Sequence, residues 1–246
     1  MQREQFIAHS RLEDRHWWFT ARREILRALL RAVAPPGRGT ALVDIGCGTG
    51  GNSAAFAAEY DVLGLDPSAD AIALARARFP NVDFVQSADP GVARAHMAKG
   101  GAILMTDVLE HVADDRALLH AAIAITPPGS HLVLTVPCDP GLWSRHDTQF
   151  GHFRRYLAAD FRALWSDAPV ETRLLTPFNA RLRPVIATIR RFTRDGGSDL
   201  HIPSGPLNRM LHRIFAGEAH ALVGAIDRDS PPFRRGVSLA AVLRRR

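Results

Sequence analysis

A carboxylate followed at once by a run of glycines marks the segment Val43-Asp44-Ile45-Gly46-Cys47-Gly48-Thr49-Gly50, which follows an apolar run and opens a helical one. Glycine has no Cβ and tolerates positive φ, so the backbone at Gly46, Cys47, Gly48 and Gly50 can close on a bound ligand. Sixteen residues past Gly50, a second apolar run ends at Gly64-Leu65-Asp66. A carboxylate there can accept from both hydroxyls of a ribose. Gly46, Gly48 and Gly51 also satisfy GxGxxG, with the acid at about the distance that a dinucleotide fold requires. Taken alone, these residues point to an adenosine-bearing cofactor without saying which.

Three further features favour S-adenosylmethionine (SAM) over a nicotinamide dinucleotide. Asp44 suits a cationic amino-acid group and would repel a pyrophosphate. The third apolar run ends in Gln86-Ser87-Ala88-Asp89, an acceptor where an adenine amino group would lie. The fourth runs into Thr106-Asp107-Val108-Leu109-Glu110-His111-Val112. Methyl transfer from a sulfonium has an activated leaving group, so alignment of the reactants, worth ~7–11 kcal/mol, is the protein's main contribution. An acceptor that must lose a proton also needs a base titrating near neutrality, which is histidine chemistry. The stretch Trp143-Ser144-Arg145-His146-Asp147, followed by Gly151-His152-Phe153-Arg154-Arg155-Tyr156, supplies such groups. His152 is the first candidate base, His146 the second and His111 the third. The arginines of the stretch suit a phosphate or carboxylate on the acceptor.

The elements that must position these residues alternate as in a parallel α/β sheet. Strands are expected at Ala41–Ile45, Val62–Leu65, Val82–Val85, Ala102–Met105, His131–Val136, Val170–Leu175 and Val237–Leu243, with helices near Asn52–Glu59, Ala69–Phe79, Arg116–Ile125 and Ala158–Ala163. Two segments stand outside the alternation. Residues 1–37 read as a helical cap ending at Ala34-Pro35-Pro36-Gly37, and residues 177–236 as a helical insertion on the substrate side, with helices at Ala180–Arg194 and Pro206–Ile226. The core then comprises residues 38–176 and the final strand 237–246. Adjacent Trp17 and Trp18 cannot both face one core from a helix, since they lie about 100° apart. One is free to cover the cofactor while Arg22 or Arg23 pairs with its carboxylate.

VDIGCGTG, GLDPS, the acid of QSAD, DVLEHV and the turn TPPGSHLVLTVP resemble, in order and spacing, the motifs of class I SAM-dependent methyltransferases. The stretches at Glu13–Arg23 and Trp143–Tyr156 resemble a subgroup of small-molecule and biosynthetic members, of the methyltransferase type 11 and 12 kind. The resemblance implies a Rossmann-like seven-stranded sheet of order 3-2-1-4-5-7-6 with the last strand antiparallel. It further implies that Asp44, Gly46 and Gly48 hold the methionine moiety and that Asp66 takes the ribose. Asp89 would take the adenine amino group, and Asp107 with Val108 would border the sulfonium.

Composition narrows the setting. Hydrophobic residues make up 46% of the 246 and charged residues 23%, ordinary for a globular protein. Cys47 and Cys138 have no CxxC or CxxH partner, so neither a disulfide framework nor a metal site is expected. No apolar run approaches a membrane span and the first residues are polar, so a cytoplasmic protein is the expectation. The net charge of +6 is uneven: from Arg181 onward thirteen arginines face five acids. Such a pole suits an anionic or lipid-linked small acceptor, or peripheral membrane contact. O-methylation of such an acceptor is favoured over N-methylation. An RNA or protein methyltransferase and a non-catalytic SAM-binding scaffold are the alternatives. Nucleic acid is disfavoured, because no RNA-binding module or aromatic-basic platform is present.

Overall fold

The computed structural model describes residues 3–37, 39–192, 202–228 and 230–246. The chain opens with helices α1 (Arg3–Leu12) and α2 (Trp17–Val33), then enters the alternation: β1 (Ala41–Ile45), α3 (Gly51–Phe56), β2 (Asp61–Asp66), α4 (Ala69–Arg78) and β3 (Asp83–Gln86). A 3-10 turn at Pro90–Ala93 leads into α5 (Arg94–Met97), β4 (Gly101–Thr106), α6 (Asp115–Ile125) and β5 (His131–Pro137). The second half carries α7 (Arg145–Gln149), α8 (Ala158–Ala163), β6 (Val170–Phe178), α9 (Arg183–Phe192), α10 (Gly205–Ala216), α11 (Ala219–Val223) and β7 (Ser238–Arg245). The strands form one sheet of order 3-2-1-4-5-7-6. The first five are parallel, and β7 runs antiparallel to both β5 and β6.

Alternation of side chains across the pleat builds two cores. Val43, Ile45, Ile103, Met105, Leu132 and Leu134 face one way and pack on Met97, Leu119, Ile123, Phe161 and Trp165. Leu42, Leu104, Val133, Ala240 and Val242 face the other way and pack on α2 through Ile25, Leu26, Leu29 and Leu30. These four recur at helical spacing, the pattern of a helix that lies on a sheet. His16 caps α2 by accepting from the Trp18 N–H at 3.2 Å. The sheet order reverses between β1 and β4, so the loops leaving those two strands part to opposite sides and open a crevice at their carboxyl ends.

The insertion departs from the sequence expectation in two ways. The single helix expected at Pro206–Ile226 is two, α10 and α11, broken at Gly217-Glu218. Glu218 is buried and its Oε1 accepts from the Ala180 and Arg181 N–H groups at 2.9 and 2.8 Å, so the break satisfies backbone donors elsewhere. The preceding helix starts at Arg183 and not at Ala180. Phe215 of α10 and Leu222 of α11 join the α2 core, and Asn208 of α10 holds the turn before α2 through Trp17 N (2.9 Å) and Arg15 O (2.9 Å). Much of the segment therefore thickens the α2 side of the sheet. The short helices α5 and α7 went unforeseen because four or five residues carry no readable period. Among the described residues no helix is long and apolar enough to cross a membrane.

Candidate functional site

At the end of β1 the chain turns through Gly46, Gly48 and Gly50, all at positive φ (74°, 55° and 84°). Leu65 O accepts from the Gly46 and Cys47 N–H groups at 2.7 and 2.9 Å, which ties the loop to the end of β2. A Cβ at Gly46 would strike Val108, and one at Gly50 would strike Phe84, so these two glycines serve packing. Gly48 differs: nothing lies within 4 Å of where its Cβ would be. The loop thus presents bare backbone to open space at one residue. Beside it Asp66 accepts from Gly48 N–H (3.0 Å) and Ser68 N–H (2.8 Å), and burial raises its carboxyl. Cys47 is buried against Ile72, Ala75 and Phe84, and burial pushes its thiol well up, so it is a packing residue.

Asp44 lies beneath this loop, 1% exposed. Its Oδ2 accepts from Ser53 Oγ at 2.6 Å, while its Oδ1 is buried with no hydrogen-bond partner. Burial pushes the carboxyl up to about 7, with Ser53 and then Arg22 opposing. An orphaned buried acceptor of this kind fits a cationic amino-acid end such as that of SAM, which would supply the missing donor. Glycines, orphaned Asp44 and Asp66 together match the cofactor expected from the sequence. Asp89 sits on the surface past β3, where its Oδ1 accepts from Gly91 N–H at 2.7 Å and caps the 3-10 turn.

The titration of Asp44 yields a testable consequence. Its folded pKa exceeds its unfolded value, so the ligand-free protein loses that part of its stability as pH rises through about 7. A bound ammonium reverses the preference by favouring the ionised form. Affinity for SAM should therefore tighten between pH 5.5 and 7, by up to about tenfold per unit. Asp44→Asn should bind weakly and flatten the dependence. Calorimetry across that range checks this, and a flat profile for the wild type would contradict it.

The N-terminal helices reach over the same crevice. Glu13 is buried, accepts from Thr49 Oγ1 at 2.8 Å and pairs with Arg78. Arg22 is buried, lies over the Trp18 ring at 4.1 Å from its centroid, and pairs with Asp107. The sequence expectation placed Arg22 or Arg23 on the cofactor carboxylate. In the structure Arg22 pairs with Asp107 and leaves its buried Nε without a partner, while Arg23 donates to Glu13 O at 3.3 Å. Trp17 packs edge-on against Phe215, a structural role.

On the other side of the crevice, β4 ends at Thr106 and Asp107 takes a left-handed φ of 55°. Thr135 Oγ1 donates to Asp107 Oδ1 at 3.2 Å, and Val108 leans back on Gly46. A 3-10 turn at Leu109–His111 follows. Glu110 is buried, neither carboxyl oxygen has a partner, and burial pushes the group up to about 8. The rings of His111 and His152 meet edge to face at 4.6 Å. Donor atoms of Glu110, His111 and His152 lie within 4.8 Å of one another, a set whose donor types would also suit a divalent cation. Burial, and then the His152 ring, push His111 down to about 4. Neutral and tied to the Phe150 and Gly151 backbone, His111 is a weak proton acceptor.

His152 arrives from the loop after β5. Its Nδ1 stands 2.9 Å from Asp147 Oδ1, and Phe153 N–H donates to Glu110 O at 2.7 Å, which seats the loop on the 3-10 turn. Asp147 is fully buried and also accepts from Arg155 at 2.8 Å and Ser144 N–H at 2.8 Å. The expectation that Arg154 and Arg155 hold the acceptor is corrected here. Arg155 is buried on Cys138 O, Val237 O and Asp147, and Arg154 pairs with Asp115 at 2.6 Å. Tyr156 likewise donates to Asp115 at 2.7 Å. His146 stands on α7, and its side chain lies outside the described residues. His131 lies on β5, and His212 stands 3.2 Å from Glu24. Glu110 and Asp147 were the residues sequence reasoning passed over. Both sat inside quoted motifs, and the signal missed was an acid next to or five residues from a candidate base.

Comparison with known proteins agrees with this geometry. Residues 17–181 match the family described as methyltransferase domain. The ubiquinone biosynthesis O-methyltransferase of Pectobacterium atrosepticum is 32% identical over 99 residues, covering 38% of this chain. The match takes in 41% of that protein, so the chain aligns with about two fifths of the curated relative's length. Among solved structures, the plantazolicin methyltransferase BamL, in complex with a triazolic desmethylPZN analog and SAH, superposes with a TM-score of 0.59 at 16% identity, over 98% of this chain and 91% of that one. An S-adenosylmethionine-dependent methyltransferase from Mesorhizobium loti gives 0.57 at 18%, over 95% and 100%. At such identities the two structures speak for the fold alone. With the family match over most of the chain and the seven-stranded sheet of order 3-2-1-4-5-7-6, this chain belongs to the methyltransferase-domain family.

Proposed function

We propose that the chain methylates a hydroxyl of a small or lipid-linked acceptor, with His152 as general base. The observation that carries this reading is the placement of His152, held by Asp147 and facing His111 and Glu110 across the crevice from the glycine loop. Asp44, the Gly46–Gly50 loop and Asp66 would hold the cofactor, and Asp107 with Val108 would flank its reacting end. When bound, SAM supplies an electrophilic methyl group on a sulfonium, with a neutral thioether as leaving group. His152 takes the hydroxyl proton as the acceptor oxygen forms its bond to that methyl. Glu110, whose carboxyl burial pushes up to about 8, stands beside the two histidines as a group able to donate to the acceptor when protonated.

Partial likeness to proteins named for O-methylation supports oxygen over nitrogen. The test is transfer of labelled methyl from SAM to matched panels of phenols, aliphatic alcohols, sugars and amines. Phenols or other hydroxyl compounds should be labelled with SAH released in equal amount. Labelling confined to amines would overturn the oxygen assignment.

A further inference from the structure

We infer that Asp147 is a positioning residue that fixes His152 in the tautomer with its proton on Nδ1, so that Nε2 carries the lone pair. The catalytic meaning of this inference rests on the proposed role of His152; its geometry does not. Asp147 belongs to no cofactor motif and is fully buried, a costly place for a carboxylate with no task. Burial alone would raise its carboxyl, but the hydrogen bond from His152 and the charge of Arg155 hold it well below the usual carboxylate range. It is therefore ionised, and an ionised carboxylate can only accept. The imidazole nitrogen 2.9 Å from it must be the protonated one. In a neutral ring the other nitrogen is then the acceptor.

The carboxylate is itself held rigidly. Arg155 donates to Asp147 at 2.8 Å, to Cys138 O at 2.9 Å and to Val237 O at 3.0 Å, so one guanidinium spans from the ends of β5 and β7 to the loop. Ser144 N–H and Oγ reach Asp147 Oδ2 at 2.8 and 3.2 Å. His152 N–H returns to Asp147 O at 2.9 Å, closing a turn that passes through Gly151 at φ 71°. Sheet, loop and base form one connected unit. Among the described residues, the charged and titratable groups near His152 include Asp147 with Arg155 behind it, His111 across the ring, and Glu110 beyond. Asp147 is the one whose carboxylate meets the ring nitrogen and orients it.

The experiment needs no acceptor. Protein labelled with 15N-histidine is examined by long-range proton–nitrogen correlation, and the His152 ring is identified as the signal missing from His152→Gln. The wild type should show the Nδ1–H tautomer near pH 8. Asp147→Asn, which presents an amide able to donate, should lose that signal in favour of Nε2–H. Should Asp147→Asn fail to fold because Arg155 is left unpaired, the Asp147→Asn/Arg155→Met double variant removes the buried charge with its partner and is read the same way. An unchanged tautomer in a folded variant would overturn the inference. With an acceptor from the transfer panel, Asp147→Asn should lower kcat at unchanged KM for SAM and cost less than about twofold more in a His152→Ala background. An equal loss in both backgrounds would mark Asp147 as merely structural.

Discussion

Gly48→Leu should leave the protein folded and lower its affinity for SAM by at least about 100-fold, roughly 2.7 kcal/mol or more. The structure separates the two effects at this residue. Its φ of 55° lies in the left-handed region, where a side chain costs ~1–2 kcal/mol, and a chain of this size should lose roughly 2–8 °C in Tm. Nothing within 4 Å blocks the new Cβ, and the Gly48 N–H remains available to Asp66. The side chain enters the open space beside the loop, where the cofactor is proposed to lie. Gly50→Leu is the instructive contrast, since its Cβ would meet Phe84 and the loss there should fall on stability. Calorimetry and thermal melting on both variants check the pair. Affinity within threefold of wild type for a folded Gly48→Leu would refute the cradle.

His152→Ala should slow methyl transfer by about 10²–10⁴-fold, the usual range for a general base, with SAM affinity nearly constant. The ring meets His111 and Asp147, which lie outside the glycine loop, so binding should be spared. His111→Ala should cost far less, because its ring is neutral and pushed down to about 4. Single-turnover rates with SAM saturating measure the step directly. Activity of His152→Ala within about threefold of wild type would move the role to His146. Combined loss of activity and of SAM binding would show that the loop does structural work only.

The sheet was legible because its strands are short apolar runs bounded by Gly, Pro and Asp, and the resemblance to class I methyltransferases implied their order. Boundaries moved by one to three residues, as at β6, which runs on to Phe178 because β7 pairs with it as far as Ser238. Asp44 and Asp66 stood out by position, one just before the glycines and the other at the end of the second apolar run; their burial became visible only in the fold. Pairings over long separations were not legible. Arg22 finds Asp107 eighty-five residues on, and only the packing of α2 across the sheet brings them together. Local periodicity also joined α10 to α11, since it cannot show that Glu218 turns inward to cap Ala180 and Arg181. The Asp147–His152 contact spans five residues yet depends on a turn at Gly151, which polarity alone does not reveal.

The central claim is that one crevice holds the cofactor on the β1 side and the base on the β4–β5 side. A crystal structure with SAH tests it most directly. The amino-acid end should lie at Asp44 and the ribose at Asp66, with the sulfur between Asp107–Val108 and the Glu110–His111–His152 group. The gap from sulfur to the His152 ring should admit a methyl group and an acceptor oxygen about 3–3.5 Å from it. SAH bound with its sulfur turned from His152, or walled off from that ring by protein, would contradict the account.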